Sequence, residues 1–387
     1  MRRSLTVGLA AAMLVGCREA VQPAAPERPA FAVAAGAPYE SVDLGTLGGA
    51  SSMATAINDR EQIAGTSATS SGAQHAFVWD HGAMQDLGTL GGAASQALAL
   101  NDRGQVAGLS TTGSGEFHAF LWTDGTIQDL GAAGRFSLVG LNAGGQVGWT
   151  GPAGTDTHGF VWDGSTARDL GTLGGCCSRV AAINNRGQIV GSSATASGED
   201  HAFLWQDGVM TDIGAFNAVA LNERGQVTGS FLTADHRFER AVVWQDGALT
   251  ELGALPGDGS SHAVAINDAG DIVGTSAFSV TNSFQRAFLW RSGELTQLNA
   301  QGQREDQETP AAIDNAATAA GRVFLCMNGA CSRRAAVWNN GQAWDLGNAL
   351  GGLSSQALAI NARGDIVGWS DPPSSQDARA SLWRRQP

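Results

Sequence analysis

The sequence predicts an all-β fold, an eight-bladed β-propeller of four-stranded units closed by the N-terminal strand. Three observations predict it. Trp recurs at 79, 122, 162, 205, 244, 290, 338 and 383, a mean spacing of about 43 residues, and a period of 40–45 with several short strands per unit marks propeller blades. An Asp-Leu-Gly segment opens each interval, as DLGTLGG at Asp43, Asp86 and Asp169 and in weaker forms at Asp129, Asp212, Glu251, Gln297 and Asp345. Gly supplies 53 of 387 residues, about double the usual share, which argues for many turns and against long helices.

Taken in order, residues 1–16 read as a lipoprotein signal peptide. Arg2 and Arg3 precede an apolar run from Leu5 to Val15 that is too short to span a bilayer. Leu14-Val15-Gly16-Cys17 is similar to a bacterial lipobox, which implies acylation of Cys17. Residues 17–38 then form an Ala/Pro-rich tether, and 39–387 form the propeller.

Each unit divides into four strands. A small-residue run ends in Asn, as at Asn58 or Asn361, and an Asn-x-x-Gly turn follows. Next come a Gln-Ile/Val-x-Gly strand, a variable polar loop and a Phe-Leu-Trp strand. The last strand ends in Asp-Leu-Gly. The small-residue strand suits the crowded central channel. The eighth unit lacks its own fourth strand, and the segment from Tyr39 to Gly45 is expected to supply it and remove the open edge. A seven-bladed ring with one degenerate unit and an open stack are the lesser alternatives.

HAFVW at His75, HAFLW at His118 and His201, HGFVW at His158 and AINNRGQIVG from Ala182 to Gly191 resemble the HAF family of bacterial extracellular repeats. The resemblance covers roughly residues 39–383. It implies an exported protein without assigned catalytic residues. The later copies drift: Arg240, Arg286, Arg334 and Arg379 stand where His does in the first four, and the seventh unit has Asp314 in place of Asn.

All 23 basic residues are Arg, and the net charge is −13. An acidic chain without a basic cluster argues against a nucleic-acid partner and against docking on anionic lipid. Nucleophile-elbow, zincin and phosphate-loop motifs are absent from the sequence. In a repeat protein, what recurs in every unit is scaffold and what occurs once is a candidate for function. The Trp residues and the Asp of Asp-Leu-Gly are scaffold by that test, the Asp bonding backbone at a turn. The His/Arg position reads as a polar residue closing the loop, or else as a ring whose His half gains charge below about pH 6.5. Equivalent positions on different blades lie too far apart to share a metal, so no metal or cofactor is expected.

Cys326 and Cys331 bracket an Asn-Gly turn signal and are expected to form a disulfide. Cys176 and Cys177 are adjacent, and either a vicinal disulfide or two free thiols is compatible with the sequence.

The residues that occur once fall in two loop types that propeller topology places on one face. Trp149 and Trp369 share one repeat position, directly after Gly148 and Gly368. Arg135, Phe136, Phe231, His236, Arg237, Asp258 and His262 join them as candidate ligand contacts, and Glu305, Asp306 and Glu308 add an acidic stretch. Aromatics beside polar groups suit a carbohydrate or peptide. The sequence therefore leads to an expectation of a monomeric, exported, lipid-anchored module at the bacterial cell envelope. It would bind carbohydrate or an envelope protein without catalysis. An exported polysaccharide hydrolase or lyase is the first alternative, marked by a close acid pair or an Arg-His-acid cluster on the loop face; a purely structural envelope protein is the second.

Overall fold

The computed structural model describes residues 38–386 apart from 136, 138, 280–284, 299–307, 328, 329, 341 and 376. The signal segment 1–16, Cys17 and the tether up to residue 37 lie outside the described residues. So do Phe136, Glu305, Asp306 and the Asn328-Gly329 turn.

Eight four-stranded antiparallel sheets form an eight-bladed propeller, with no helix among the described residues. The first seven blades occupy residues 48–86, 91–132, 140–169, 174–214, 217–251, 260–297 and 309–347. The eighth takes three strands from 355–385 and its outermost strand, Tyr39–Gly45, from the N-terminal end. That strand pairs antiparallel with Arg379–Arg385, Ser41 facing Trp383. The closing strand expected from the repeat phase is therefore present, and it gives the eighth blade its fourth strand.

Apolar residues pack between neighbouring blades. At the seam, Leu44, Val367 and Leu382 of the eighth blade meet Ile63, Phe77 and Trp79 of the first. Trp338 and Trp383 are 1% and 0% exposed, so the repeating Trp side chains include the deepest anchors of the ring. The Gly of the second strand is a close-packing device. A Cβ on Gly191 would lie 1.8 Å from the Arg179 carbonyl oxygen, and the ring of Phe203 covers the same spot.

The turn Asn builds a second, polar layer of closure. In seven blades its Nδ2 donates to the main-chain oxygen of the equivalent residue in the next blade, at 2.9–3.1 Å. The same Asn accepts two N–H groups of its own turn through Oδ1, as Asn58 does from Arg60 and Gln62. Seven links thus run around one mouth of the central channel, a polar cavity of about 410 Å³. The missing link is at Asp314, whose carboxylate has no N–H to give.

The His/Arg position and the Asp-Leu-Gly acid are one device. His75, His118, His158 and His201 each set Nδ1 between both oxygens of Asp86, Asp129, Asp169 and Asp212, at 2.8–3.0 Å. Arg240, Arg334 and Arg379 pair with Glu251, Asp345 and Asp43. The Asp also bonds backbone, as in Gly88 N–H to Asp86 at 2.8 Å. Each pair fastens the third strand of a blade to the end of its fourth.

Candidate functional site

The variable loops gather on the face opposite the Asn turns. The connection entering each blade lies against the end of its second strand, as Gly48 against Thr69 and Gly174 against Thr195. One register beneath these loops changes from blade to blade. The residue after the second-strand Gly faces a first-strand partner: Thr66 faces Met53, Leu109 faces Gln96, Ser192 faces Arg179 and Thr275 faces His262. Further on, Arg322 faces Thr309 and Trp369 faces Gln356. The flanking Gly fixes the backbone while these side chains vary.

The non-repeating residues concentrate where the fifth and sixth blades meet. Ser230, Glu239 and His262 form a closed triangle. His262 Nδ1 lies 3.0 Å from Glu239 Oε1 and 3.1 Å from Ser230 Oγ, and the Ser230 hydroxyl donates to the same Glu239 oxygen. The hydrogen bond to His262 holds the Glu239 carboxyl below its ordinary range, against the opposing effect of burial. Ser230 is 1% exposed, so its hydroxyl orients the carboxylate and is not presented as a nucleophile.

Beside the triangle, two guanidiniums stand against the ring of Phe238. Arg237 and Arg240 both stand 5.5 Å from its ring centroid, within cation–π range. Gly259 lets this ring approach the sixth blade, because a Cβ there would sit 2.2 Å from Phe238 Cε1. The loop tip is built around Asp235, which accepts from the Thr233 hydroxyl at 2.6 Å and from Arg237 N–H at 3.2 Å. Those two bonds, the hydroxyl first, hold the Asp235 carboxyl low. His236 at the tip has φ +55° and is exposed. Leu232 and Phe278, 49% and 66% exposed, stand on the same loop-face strand ends.

The expected contacts divide accordingly. His262, Arg237 and His236 lie in or beside this cluster with surface to offer. Three others are engaged in the fold's own packing and pairing. Trp149 is 1% exposed; its indole stacks on Phe160 with centroids 5.6 Å apart and its Nε1–H donates to Ala132 O at 3.1 Å, so it is a core side chain. Phe231 is half-buried and packs against the interface of the fourth and fifth blades. Asp258, with 11% of its side chain exposed, is occupied by Arg286 at 2.8 Å. The reason lies in the repeat: Arg286 meets the neutral Gln297 where other blades have an acid, and Asp258 supplies the missing charge.

Arg135 and Trp369 lie elsewhere. Arg135 stands 5.8 Å over Phe117 at the rim of a cleft of about 300 Å³ that also takes in Gln74, Gln96 and Leu109. Trp369 is half-buried in the eighth blade. Cys331 is disulfide-bonded, and the strand register sets Cys326 opposite it. Cys176 and Cys177 are free thiols. No group of three or more His, Cys, Asp or Glu side chains among the described residues is arranged to hold a metal ion.

Glu239, Ser230 and Phe238 were not among the expected contacts. The signal for Phe238 was present, an aromatic between two Arg in a long loop. Ser230 and Glu239 acquire meaning only through the packing of the fifth blade against the sixth, which brings them to His262.

No protein-family model matches the chain, and no characterised protein matches it in sequence. Solved structures do. The chain is similar to an acylaminoacyl peptidase in complex with Z-Gly-Gly-Phe-chloromethyl ketone, at 11% identity and TM-score 0.50, over 87% of this chain and 52% of that one. It thus spans about half the length of that peptidase. It is also similar to the β-propeller domain of the Trilobed protease from Pyrococcus furiosus, at 9% identity and TM-score 0.48, over 72% of this chain and 91% of that one. TolB from Acinetobacter baumannii matches at 10% identity and TM-score 0.38, over 87% of this chain and 64% of that one. At these identities the likeness concerns the fold alone.

Proposed function

We propose that the chain is an exported, lipid-anchored propeller that acts as a non-catalytic binding module at the bacterial cell envelope, taking its ligand on the loop face where the fifth and sixth blades meet. The observation that carries the binding site is the gathering of Glu239, His262, Arg237 and Phe238, a combination that no other blade carries, on a scaffold that otherwise repeats. An aromatic in contact with two guanidiniums, beside an imidazole–carboxylate pair, suits a carbohydrate bearing hydroxyl and carboxylate groups. Export and anchoring rest on the order of Arg2-Arg3, apolar run and Cys17.

The experiment is a binding panel of cell-wall and capsular polymers against the chain from residue 18, beside a version carrying Arg237→Ala and His262→Ala. Binding that the substitutions abolish supports the reading; binding that they leave intact moves the site elsewhere. Lipid incorporation that disappears in Cys17→Ser tests the anchor separately.

A second reading, a polysaccharide lyase or hydrolase, is favoured by the His262–Glu239 pair, which is a candidate acid–base couple. Turnover of any polymer in the panel, lost in Glu239→Gln, would replace the binding reading with this one.

A further inference from the structure

We propose that the cleft between the first and second blades is a second binding site, a subsite for one neutral pyranose residue of a glycan, held by Thr66, Gln74 and Gln96. These side chains occupy the repeat positions that carry Ser230, Glu239 and His262 four blades further round the ring. Thr66 follows the second-strand Gly65 as Ser230 follows Gly229, and Gln74 precedes His75 as Glu239 precedes Arg240. Gln96 faces Leu109 across the first-strand pairing of its blade as His262 faces Thr275. The repeat therefore brings both trios to the same place between neighbouring blades, and the side chains alone differ.

That difference decides what each can bind. At the fifth and sixth blades the trio spends its polar groups on itself, since His262 and Ser230 both bond Glu239. At the first and second blades the trio is a hydroxyl and two carboxamides. None of these three side chains has a hydrogen-bond partner among the described residues, and all three line a cleft of about 300 Å³. Carboxamides and hydroxyls both donate and accept. Sugar hydroxyls do the same, whereas an ion demands one sign of charge. Leu109, 0% exposed, and the half-buried Phe117 supply apolar lining of the kind that the C–H face of a pyranose covers. The volume lies at the small end of ligand pockets, room for one ring of a chain whose neighbours stay outside. The walls are braced as well. Ser95 Oγ donates to Gly88 O at 2.5 Å and accepts from Ala76 N–H at 2.9 Å, which ties the strand carrying Gln96 to the strand carrying Gln74. Both walls are thus held before a ligand arrives, which lowers the ordering cost of binding. The subsite does not rest on the ligand proposed for the fifth and sixth blades, because it lies on the other side of the ring and its trio carries no charge.

The test titrates the full chain with cellotetraose and with chitotetraose by isothermal titration calorimetry. At least one of them is expected to bind at one site per chain, with affinity about tenfold or more weaker in Gln74→Ala and in Gln96→Ala and unchanged in Arg237→Ala/His262→Ala. Neither Gln has a partner in the fold to lose, so both variants are expected to melt with the wild type. Gln96→Glu keeps the shape and replaces a donor by an acceptor; it is expected to weaken binding too, a check that lost packing cannot mimic. No binding of either sugar by the wild type, affinity retained in both Gln→Ala variants, or loss confined to Arg237→Ala/His262→Ala would each overturn the subsite. The last of these would move the sugar to the fifth and sixth blades.

Discussion

Asn361 donates through Nδ2 to the main-chain oxygen of Asn58 at 3.0 Å, although 303 residues separate them. The bond joins the last blade to the first in the same way that Asn58 joins the first to the second. Ring closure thus has two layers, the strand Tyr39–Gly45 at the rim and this amide at the channel. Asn361 is 4% exposed, and its Oδ1 also accepts from Arg363 and Asp365 N–H. Asn361→Ala leaves buried partners unmade, and its expected cost is about 1–3 kcal/mol in urea unfolding. Removing residues 39–45 as well is expected to cost more than Asn361→Ala alone, because it reopens the edge.

Asp314 is the natural interruption of that ring. Its Oδ2 is buried without a hydrogen-bond partner, and the residue is 6% exposed. Burial pushes its carboxyl up, partly offset by the N–H groups of Thr318 and Ala316. Arg385, whose charge favours the carboxylate, acts on the same group, and Tyr39 also senses Asp314. A folded-state pKa above the unfolded value means stability fully present below the ordinary Asp range of about 3.9 and lost as pH rises through the higher folded value. Asp314→Asn is expected to supply the eighth link, raise stability at pH 7 by about 1 kcal/mol and flatten this part of the pH profile. Melting curves across the acid range check it; a variant less stable at pH 7 would show that the carboxylate itself is needed.

Trp149 and Trp369 share a repeat position but not an environment. Trp149→Ala is expected to cost about 3–5 kcal/mol in urea unfolding, as for a filled core site, and Trp369→Ala clearly less. Equal losses would contradict the difference in burial.

The repeat itself was legible because its strongest marks, Trp, Asp-Leu-Gly and Asn-x-x-Gly, are the residues that pack or bond alike in most blades. The His/Arg–acid pairing was legible too, in retrospect. His75 and Asp86 stand 11 residues apart, and the same offset joins Arg334 to Asp345. The turn Asn was read as a local device because its bond to the next blade crosses about one repeat and leaves no local pattern. Trp149 misled as a ligand contact because burial at that position depends on the side chains meeting it, here Phe160 and the Ala132 carbonyl. The pairing of Asp258 with Arg286 was not legible because it is explained only by the neutral Gln297 in the same blade as Arg286.

Glu239 gives a pH signature opposite to that of Asp314. His262 holds its carboxyl low, so the stability it contributes is present above the ordinary Glu range of about 4.3 and lost as pH falls through the lower folded value. His262→Ala removes the largest cause. Its acid unfolding limb is expected to move to higher pH than wild type, read by circular dichroism in acid titration. An unmoved limb would show that the pair carries no linkage.

The most direct measurement of the proposed role is the affinity of the chain from residue 18 for its best cell-wall polymer, compared with two variants. Arg237→Ala/His262→Ala alters the non-repeating cluster; His75→Ala breaks one of the repeated strand-fastening pairs. A loss of at least tenfold in the first, with the second unchanged, is expected of a binding site where the fifth and sixth blades meet. Equal affinity in all three proteins, with the fold intact, would contradict it.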